Sequence, residues 1–346
     1  MEIRDIIASL KAGQALDSAA VESAAGLLLD AEGNAAAKTE LLRALSAKGE
    51  TAEEIAGFVR AFLRHAVRPP LDMAALGRPV MDVCGTGGDK LDLFNISTAG
   101  MFLLAAGGVA VVKHGNRGVT SKSGSADVLE ALGVSVSLTP EQFAECVQRH
   151  GTAFMLAPQY HPAFKAIGPV RAALAQEGVR TIFNLIGPLL NPLQPPCQLV
   201  GVFDAALPPV YAEIMRRLGR QRAWAVHGSA GDGRGMDEVS TLGTTRVVAL
   251  ENGVITERTE TVPVPVPALE DLKGGDAAVN AAIIYGILTG EVQGAKRDIV
   301  LANAAAAFQV AGVAAGWDAA LALAAECVDS GRALTVLENL RAFPRV

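Results

Sequence analysis

Three groups of residues in this chain of 346 residues have types and spacings that can do chemistry. The densest is the stretch 82–133, DVCGTGGDKLDLFNISTAGMFLLAAGGVAVVKHGNRGVTSKSGSADVLEALG. It holds a glycine-rich turn (Gly85, Gly87, Gly88, Asp89), a polar tetrad (Asn95, Ile96, Ser97, Thr98) and a second turn, from Lys113 to Ser125, crowded with small donors and cations. Glycines let a backbone approach a ligand closely and take up φ > 0, and the first free amides of a following helix point outward at the positive end of its dipole. Such a place binds anions, phosphate above all. Neither the GxGxxG of dinucleotide folds nor the GxxxxGK of the Walker loop occurs here, so the phosphate loop is of another kind. The second group is the pair Asp237-Glu238, behind the glycine-rich run GSAGDGRGM. Adjacent carboxylates are usually solvated surface and less often a metal site. The third is Arg171, whose planar guanidinium suits two-pronged pairing with a carboxylate. Pattern alone favours a surface or ion-paired arginine there.

These side chains need elements to hold them. The apolar runs 79–83 and 109–112 read as buried strands, each followed by one of the glycine turns and then by a helical periodicity. Ser97 and Thr98 suit the cap of a helix beginning near Ala99, and Ser123 or Ser125 that of a helix running to Leu132. Further apolar runs at 135–138, 152–156, 199–203 and 223–226 alternate with helical segments such as 140–149 and 208–218, the pattern of a mainly parallel sheet. Residues 244–250 and 254–262, joined through Glu251-Asn252-Gly253, read as an antiparallel hairpin. Pro263, Pro265 and Pro267 close it, and helices are expected at 277–289, 298–315, 318–329 and 332–340. The first seventy residues are helical throughout, with Asp17 or Ser18 capping a helix to about Asp30, a second helix at 35–48, and a Thr51/Glu54 capping box before a third. The fold expected is therefore α/β: a small all-helical N-terminal domain, residues 1–75, plus a large α/β domain, residues 76–346, with a mainly parallel central sheet flanked by helices.

Half of the residues are apolar, 19% are charged, and the net charge is −6. This is the profile of a globular protein with no electrostatic case for nucleic acid. The four cysteines, Cys84, Cys146, Cys197 and Cys327, form no CxxC pair and read as thiols of a reducing compartment. The N-terminus lacks a basic segment followed by an apolar block, and the longest apolar run, 101–112, is too short for a bilayer. No membrane is implied, and a cytoplasmic location is expected.

The motifs add up to more than a phosphate loop. GTGGD, then NIST, then KHGNR and SKSGSADVLEALG, followed by HPAFKAIGPVR, FNLIGPLLNP, MDEVS, GGDAAVNA and RDIVLANAAAAF, stand in order over most of the chain. In this the sequence resembles the anthranilate phosphoribosyltransferase family of tryptophan biosynthesis. The resemblance implies transfer of the 5-phosphoribosyl group of phosphoribosyl pyrophosphate to the amine of anthranilate, giving N-(5-phosphoribosyl)anthranilate and pyrophosphate. It implies donor contacts from Gly85, Gly88, Asp89, Asn95, Ser97, Thr98, Lys113, Ser121 and Ser125. Anthranilate contacts would come from Gly85, Asn116, Arg171, His114, His161 and Phe164, and Mg2+ would be held by Ser97, Asp237 and Glu238. No acid, base or nucleophile is implied, because an aniline nitrogen is already unprotonated; Lys113 and Arg171 would act by electrostatics and positioning.

The resemblance also implies that a segment near 161–191 joins the N-terminal helices, and that the chain forms a homodimer through them. Pattern alone leaves the dimer open, since Ala-rich helices can equally pack on each other. The chain departs from many relatives at Leu93, where a hydroxyl residue is common, and at Gly118. The inserted-looking glycines before Asp237 suggest a mobile loop. Two rival readings are a pyrimidine nucleoside phosphorylase-like enzyme and a non-catalytic binding protein on the same scaffold. The first would not need the acid pair, and the second would be expected to lack it along with the intact GTGGD.

Overall fold

A computed structural model describes residues 2–118 and 122–344. The chain opens with four helices, α1 (Ile3–Lys11), α2 (Ser18–Leu29), α3 (Ala35–Lys48) and α4 (Ala52–Leu63). Side chains fix where three of them start. Asp17 accepts from the Ala20 amide at 2.8 Å, and Asn34 from the amides of Ala36 and Ala37. The Thr51/Glu54 box is reciprocal: the Glu54 amide donates to Thr51 Oγ1 at 3.2 Å and the Thr51 amide to Glu54 Oε2 at 2.9 Å. Each bond satisfies an amide that the helix itself leaves free.

Strands and helices then alternate: β1 (Val80–Gly85), α5 (Ile96–Ala106), β2 (Ala110–Gly115), α6 (Ser125–Ala131), α7 (Pro140–His150), β3 (Thr152–Leu156), α8 (Ala157–Tyr160), α9 (Gly168–Gln176), β4 (Cys197–Gly201), α10 (Leu207–Arg217) and β5 (Arg222–Ser229). The short β6 (Gly235–Met236), β7 (Thr245–Glu251) and β8 (Val254–Glu260) follow, and the chain ends in α11 (Ala277–Thr289), α12 (Ala295–Ala311), α13 (Gly316–Asp329) and α14 (Arg332–Ala342). The sheet order is β3-β2-β1-β4-β5-β7-β8, with β6 against β5. Neighbours from β3 across to β5 are parallel, and β5 to β7 and β7 to β8 are antiparallel. Asn252 and Gly253 both have positive φ, 48° and 88°, as a two-residue turn between twisted strands demands. No single helix among the described residues is long and apolar enough to cross a membrane.

The position of β1 decides where a ligand can bind. The chain leaves β1 for β2 on one side and later returns to its other side as β4. A parallel sheet opens a crevice at the carboxyl ends of its strands where the order reverses. Here that crevice lies beyond Gly85 and Gly201, which are register partners.

Two apolar cores flank the sheet. One packs α5 and α12 with Leu199, Trp224 and Val226; the other joins α1–α4 to the piece 167–190, to α10 and to Val200, Ala223 and Ala225. Alternate residues of β4 and β5 thus face opposite cores, as the period of two in a strand requires.

Some local expectations fail. Residues 135–138 form no strand, although Val136 and Leu138 are buried. Helix α5 begins at Ile96, not near Ala99, and Asn95 at its cap position makes no capping bond, because its side chain is engaged elsewhere. Helix α6 begins behind Gly124, and it is Asp127, not Ser123 or Ser125, that accepts from the Gly124 amide, at 2.9 Å. Helix α12 spans Ala295–Ala311 and ends at Gly312, whose φ is 73°. The glycine-rich run before Asp237 folds back as β6 against β5, with Gly228 opposite Met236.

Phe62 ties α4 to the inserted piece. Its ring meets Phe164 edge-on at 5.2 Å and stacks on Phe183 at 5.6 Å, and it is 1% exposed. Phe62→Ala is expected to cost about 3–5 kcal/mol in urea unfolding. A loss below about 1 kcal/mol would show that this junction is not packed in solution.

Candidate active site

The crevice is built from the loops that leave β1, β2 and β4. The Thr86 amide donates to the Gly201 carbonyl at 2.9 Å, and the Phe203 amide to Thr86 Oγ1 at 3.2 Å, so the first and third loops are tied together. Gly87 and Gly88 take φ of 69° and 93°, open only to glycine without strain. Gly85 is needed for another reason: a Cβ there would collide with the Asp237 carboxylate, and one at Gly201 with the Asp237 main chain. The second loop folds on itself likewise, since a Cβ at Gly124 would strike the backbone of Arg117 and Gly118. Asp127 holds that turn from inside by accepting from the Gly118 amide at 2.8 Å.

Asp237 therefore lies across the ends of β1 and β4. Its Oδ2 accepts from the Gly87 amide at 2.6 Å, and Asp89 comes within hydrogen-bonding reach of it. Burial, reinforced by the Asp89 charge, pushes its pKa up to about 7. Glu238 is likewise raised well above the ordinary carboxylate range, first by burial and then by Asp237, while Lys113 and the Ser97 amide oppose the shift. Lys113, 1% exposed, donates to the Val83 carbonyl at 2.6 Å and to Ser97 Oγ at 3.2 Å. Burial lowers its pKa, and Asp82 and Glu238 pull it back. Asp82 is itself held by Asn191, whose Nδ2 donates to it at 2.9 Å and to the Val112 carbonyl at 2.7 Å.

The residues present fit a divalent cation: two desolvated carboxylates with an excess affinity for positive charge stand beside a serine hydroxyl. No three His, Cys, Asp or Glu side chains among the described residues converge as a finished cage. That suits a hard cation which keeps few protein oxygens and takes the rest from phosphate and water.

Two contiguous cavities open from this point. The larger, about 720 Å³, includes Gly85, Gly88, Asp89, Asn95, Ser97, Lys113, Ser125, Asp237 and Glu238 in its walls. Thr98 is not among them; it is fully buried, and its hydroxyl has no hydrogen-bond partner. Ser121 lies outside the described residues. The smaller cavity, about 440 Å³, is walled by Gly85, His114, Asn116, His161, Phe164 and Arg171, with Phe183 and Pro188. The His161 ring stacks on Phe164 at 5.1 Å and meets His114 edge-on at 5.3 Å. His161 Nε2 lies 2.8 Å from the Leu190 carbonyl, so that nitrogen carries the proton. Arg171 sits 4.7 Å over the Phe183 ring and pairs with no carboxylate among the described residues. Desolvation lowers its pKa, the mark of a cation lacking an anion.

Two residues that brace the site, Asn280 and Asn303, had no signal in the sequence. Asn280 donates from Nδ2 to Asn95 Oδ1 at 2.9 Å and accepts from the Gly275 amide at 2.8 Å; this is what draws Asn95 away from capping α5. Asn303 pairs with both backbone groups of Val239, at 2.9 and 3.0 Å, and so pins the strand end that carries the acid pair. Leu93 lines the larger cavity and bridges to Lys273 through its backbone.

His114 carries a testable consequence. Burial, with His161 and Lys113 nearby, lowers its pKa from the ordinary 6.5 to about 3. Between those values the unfolded chain binds a proton that the folded one refuses. The stabilisation is complete above pH 6.5 and is lost as pH falls toward 3. His114→Gln should therefore narrow the fall in Tm between pH 7.5 and 4.5; an unchanged fall would show that His114 already titrates freely in the fold.

Comparison with known proteins agrees with this geometry. Residues 77–334 match the glycosyl transferase family a/b domain, and residues 4–66 the glycosyl transferase family helical bundle domain. The anthranilate phosphoribosyltransferase of Moorella thermoacetica is 45% identical over 342 residues, 97% of each chain. The crystal structure of anthranilate phosphoribosyltransferase from Thermus thermophilus aligns with a TM-score of 0.88 at 39% identity, covering 98% of this chain and 99% of that one. Anthranilate phosphoribosyltransferase from Saccharomyces cerevisiae, in complex with PRPP and Mg, aligns with a TM-score of 0.84 at 25% identity, covering 98% and 96%. On this fold, with this arrangement of loops and at this level of identity over nearly its whole length, the chain belongs to the anthranilate phosphoribosyltransferase family.

Proposed function

We propose that the chain transfers the 5-phosphoribosyl group of phosphoribosyl pyrophosphate to the amine of anthranilate, with Mg2+ as its cofactor. The observation that carries this reading is the pair of cavities joined at Gly85, His114 and Asn116. One offers glycine loops, a lysine and an acid pair, the chemistry that receives a metal-bound pyrophosphate. The other is apolar and aromatic with a single unpaired guanidinium, the chemistry that receives an aromatic carboxylate.

In this reading the amine nitrogen attacks the anomeric carbon, the bond from that carbon to the pyrophosphate oxygen breaks, and the leaving group takes the electron pair. The nitrogen then loses a proton to solvent. Arg171 receives the carboxylate and Asn116 borders the ring, so the amine is placed rather than activated. His114 and His161, kept uncharged by burial, complete the ring pocket with Phe164. Gly88, Asp89, Asn95 and Ser125, with Ser121, hold the donor against the loops, and Thr98 supports them from behind. Lys113 and the loop amides face the charge that develops on the departing oxygen. Ser97, Asp237 and Glu238 would hold Mg2+, which when bound supplies positive charge to the leaving pyrophosphate.

The division into residues 1–75 and 76–346, with the segment near 161–191 added to the helical part, belongs to the same reading and is supported by the core that α1–α4 share with 167–190. A homodimer through those helices rests on the family resemblance, since no large exposed apolar residue lies on them. Cytoplasmic residence is part of the reading as well.

The direct test is the loss of anthranilate fluorescence with phosphoribosyl pyrophosphate, with and without Mg2+. Consumption that needs both is expected, and none with folded protein would overturn the reading. Arg171→Ala should raise the KM for anthranilate by roughly ten- to a hundredfold and leave that for the donor near its original value; equal rises would remove Arg171 from the carboxylate. Asp237→Asn together with Glu238→Gln should abolish metal-dependent turnover with the circular dichroism unchanged. Full activity in that variant would place the metal elsewhere.

A further inference from the structure

Arg180 is among the cations of the larger cavity that the donor reading above leaves unused. Arg180 lies on the inserted piece, nine positions after Arg171, and lines the larger cavity where Arg171 lines the smaller. The two are disposed alike: Arg171 stacks 4.7 Å over Phe183, and Arg180 stacks 4.8 Å over Phe203. Neither has an ion-pair or hydrogen-bond partner among the described residues. Phe203 is a firm base, because its amide donates to Thr86 Oγ1 and its ring faces Gly88 of the first loop, 3.9 Å from where a Cβ would sit. A guanidinium stacked on a ring keeps its edge free for in-plane hydrogen bonds.

Of the other cations of this cavity, Lys90 on the first glycine loop has no side-chain partner among the described residues, and the rest are committed. Arg117 is bound by Glu130 at 2.8 Å and by Asp127 at 3.2 Å, and Lys122 by Asp92 at 2.9 Å. Lys113 is buried and gives its protons to Val83 and Ser97. A pyrophosphate brought against Asp89, Asp237 and Glu238 meets, among the described residues, Lys90 as an unpaired cation on the glycine loops, and Arg180 supplies a second from the piece that carries Asn184, outside those loops. We propose that Arg180 binds a phosphate group of the donor from the side of the inserted piece, so that this one segment reads both substrates, the donor's phosphate through Arg180 and the acceptor's carboxylate through Arg171. The proposal rests on the donor assignment above but not on the acceptor.

The test uses the full chain. Isothermal titration with phosphoribosyl pyrophosphate and Mg2+, without anthranilate, reads donor affinity directly, and steady-state kinetics read both KM values. Arg180 is exposed and unbonded, so Arg180→Ala should fold normally by circular dichroism. It should weaken donor affinity and raise donor KM by about ten- to a hundredfold, with anthranilate KM at saturating donor within about twofold of the original. Arg180→Lys, which keeps the charge and loses the fork, should fall between. Donor affinity unchanged in Arg180→Ala, or a larger change in anthranilate KM than in donor KM, would overturn the proposal. If the original chain binds the donor but consumes no anthranilate, the reaction is wrong, and the titration of Arg180→Ala still decides this residue. If it binds no donor, both readings fall.

Discussion

The site exists because two side chains are missing. Asp237 crosses the ends of β1 and β4 in the space that side chains at Gly85 and Gly201 would fill. Its carboxylate accepts from the next turn of the glycine loop at Gly87. Every other feature of the crevice takes its place from that crossing. Glu238 follows Asp237 toward the first turn of α5, Lys113 reaches up from β2 to Ser97 on that turn, and Asn303 holds Val239 from behind. Glycine here confers less a freedom of backbone angle than an absence of volume.

Electrostatically the crevice is divided. Its acids lie deep, desolvated and close together, so that they favour a proton or a metal ion over standing as bare charges. Its basic residues mostly stand at the rim and are satisfied by acids of their own, Arg117 by Asp127 and Glu130 and Lys122 by Asp92. Such a surface, on a chain of net charge −6, exerts little long-range pull on a polyanion. Recognition must then come from contacts made at close quarters, by backbone amides and by the few cations left unpaired.

Much of the architecture was legible because it is written locally. The Asn-Gly turn between β7 and β8, the Thr51/Glu54 box and the strand at 152–156 need only a few neighbouring residues to be read. The run 135–138 misled because alternating burial reports only that one face of an extended segment meets the core; Val136 and Leu138 achieve that without a neighbouring strand. Ser97 and Thr98 misled as caps because α5 begins at Ile96 and takes both into its first turn, behind an Asn95 whose side chain is claimed by Asn280, 185 positions away. Of the site, the loop motifs and the acid pair could be found from residue types and from resemblance, and the structure brings them to one crevice. Asn280, Asn303, Gly201 and Arg180 could not, since each matters only through what lies across space from it, and an isolated Asn, Gly or Arg in sequence carries no such information.

The two cavities share residues 84–86 and 114–116, and beyond these they draw most of their walls from different parts of the chain. Apart from residues 84–86 and 114–116, the smaller cavity is furnished by the piece 157–190, whose helices and turns pack into the core of α1–α4, while the loops of β1, β2 and β4 grow from the sheet. Substitutions at Phe164, Phe183 or Pro188 can therefore reshape the smaller cavity without disturbing the crossing of Asp237 over its two glycines. In evolutionary terms the scaffold is partly modular: the residues of the inserted segment that wall only the smaller cavity can diverge apart from the glycine loops and the acid pair, while Arg180 and Asn184, on the same segment, stay tied to the larger one.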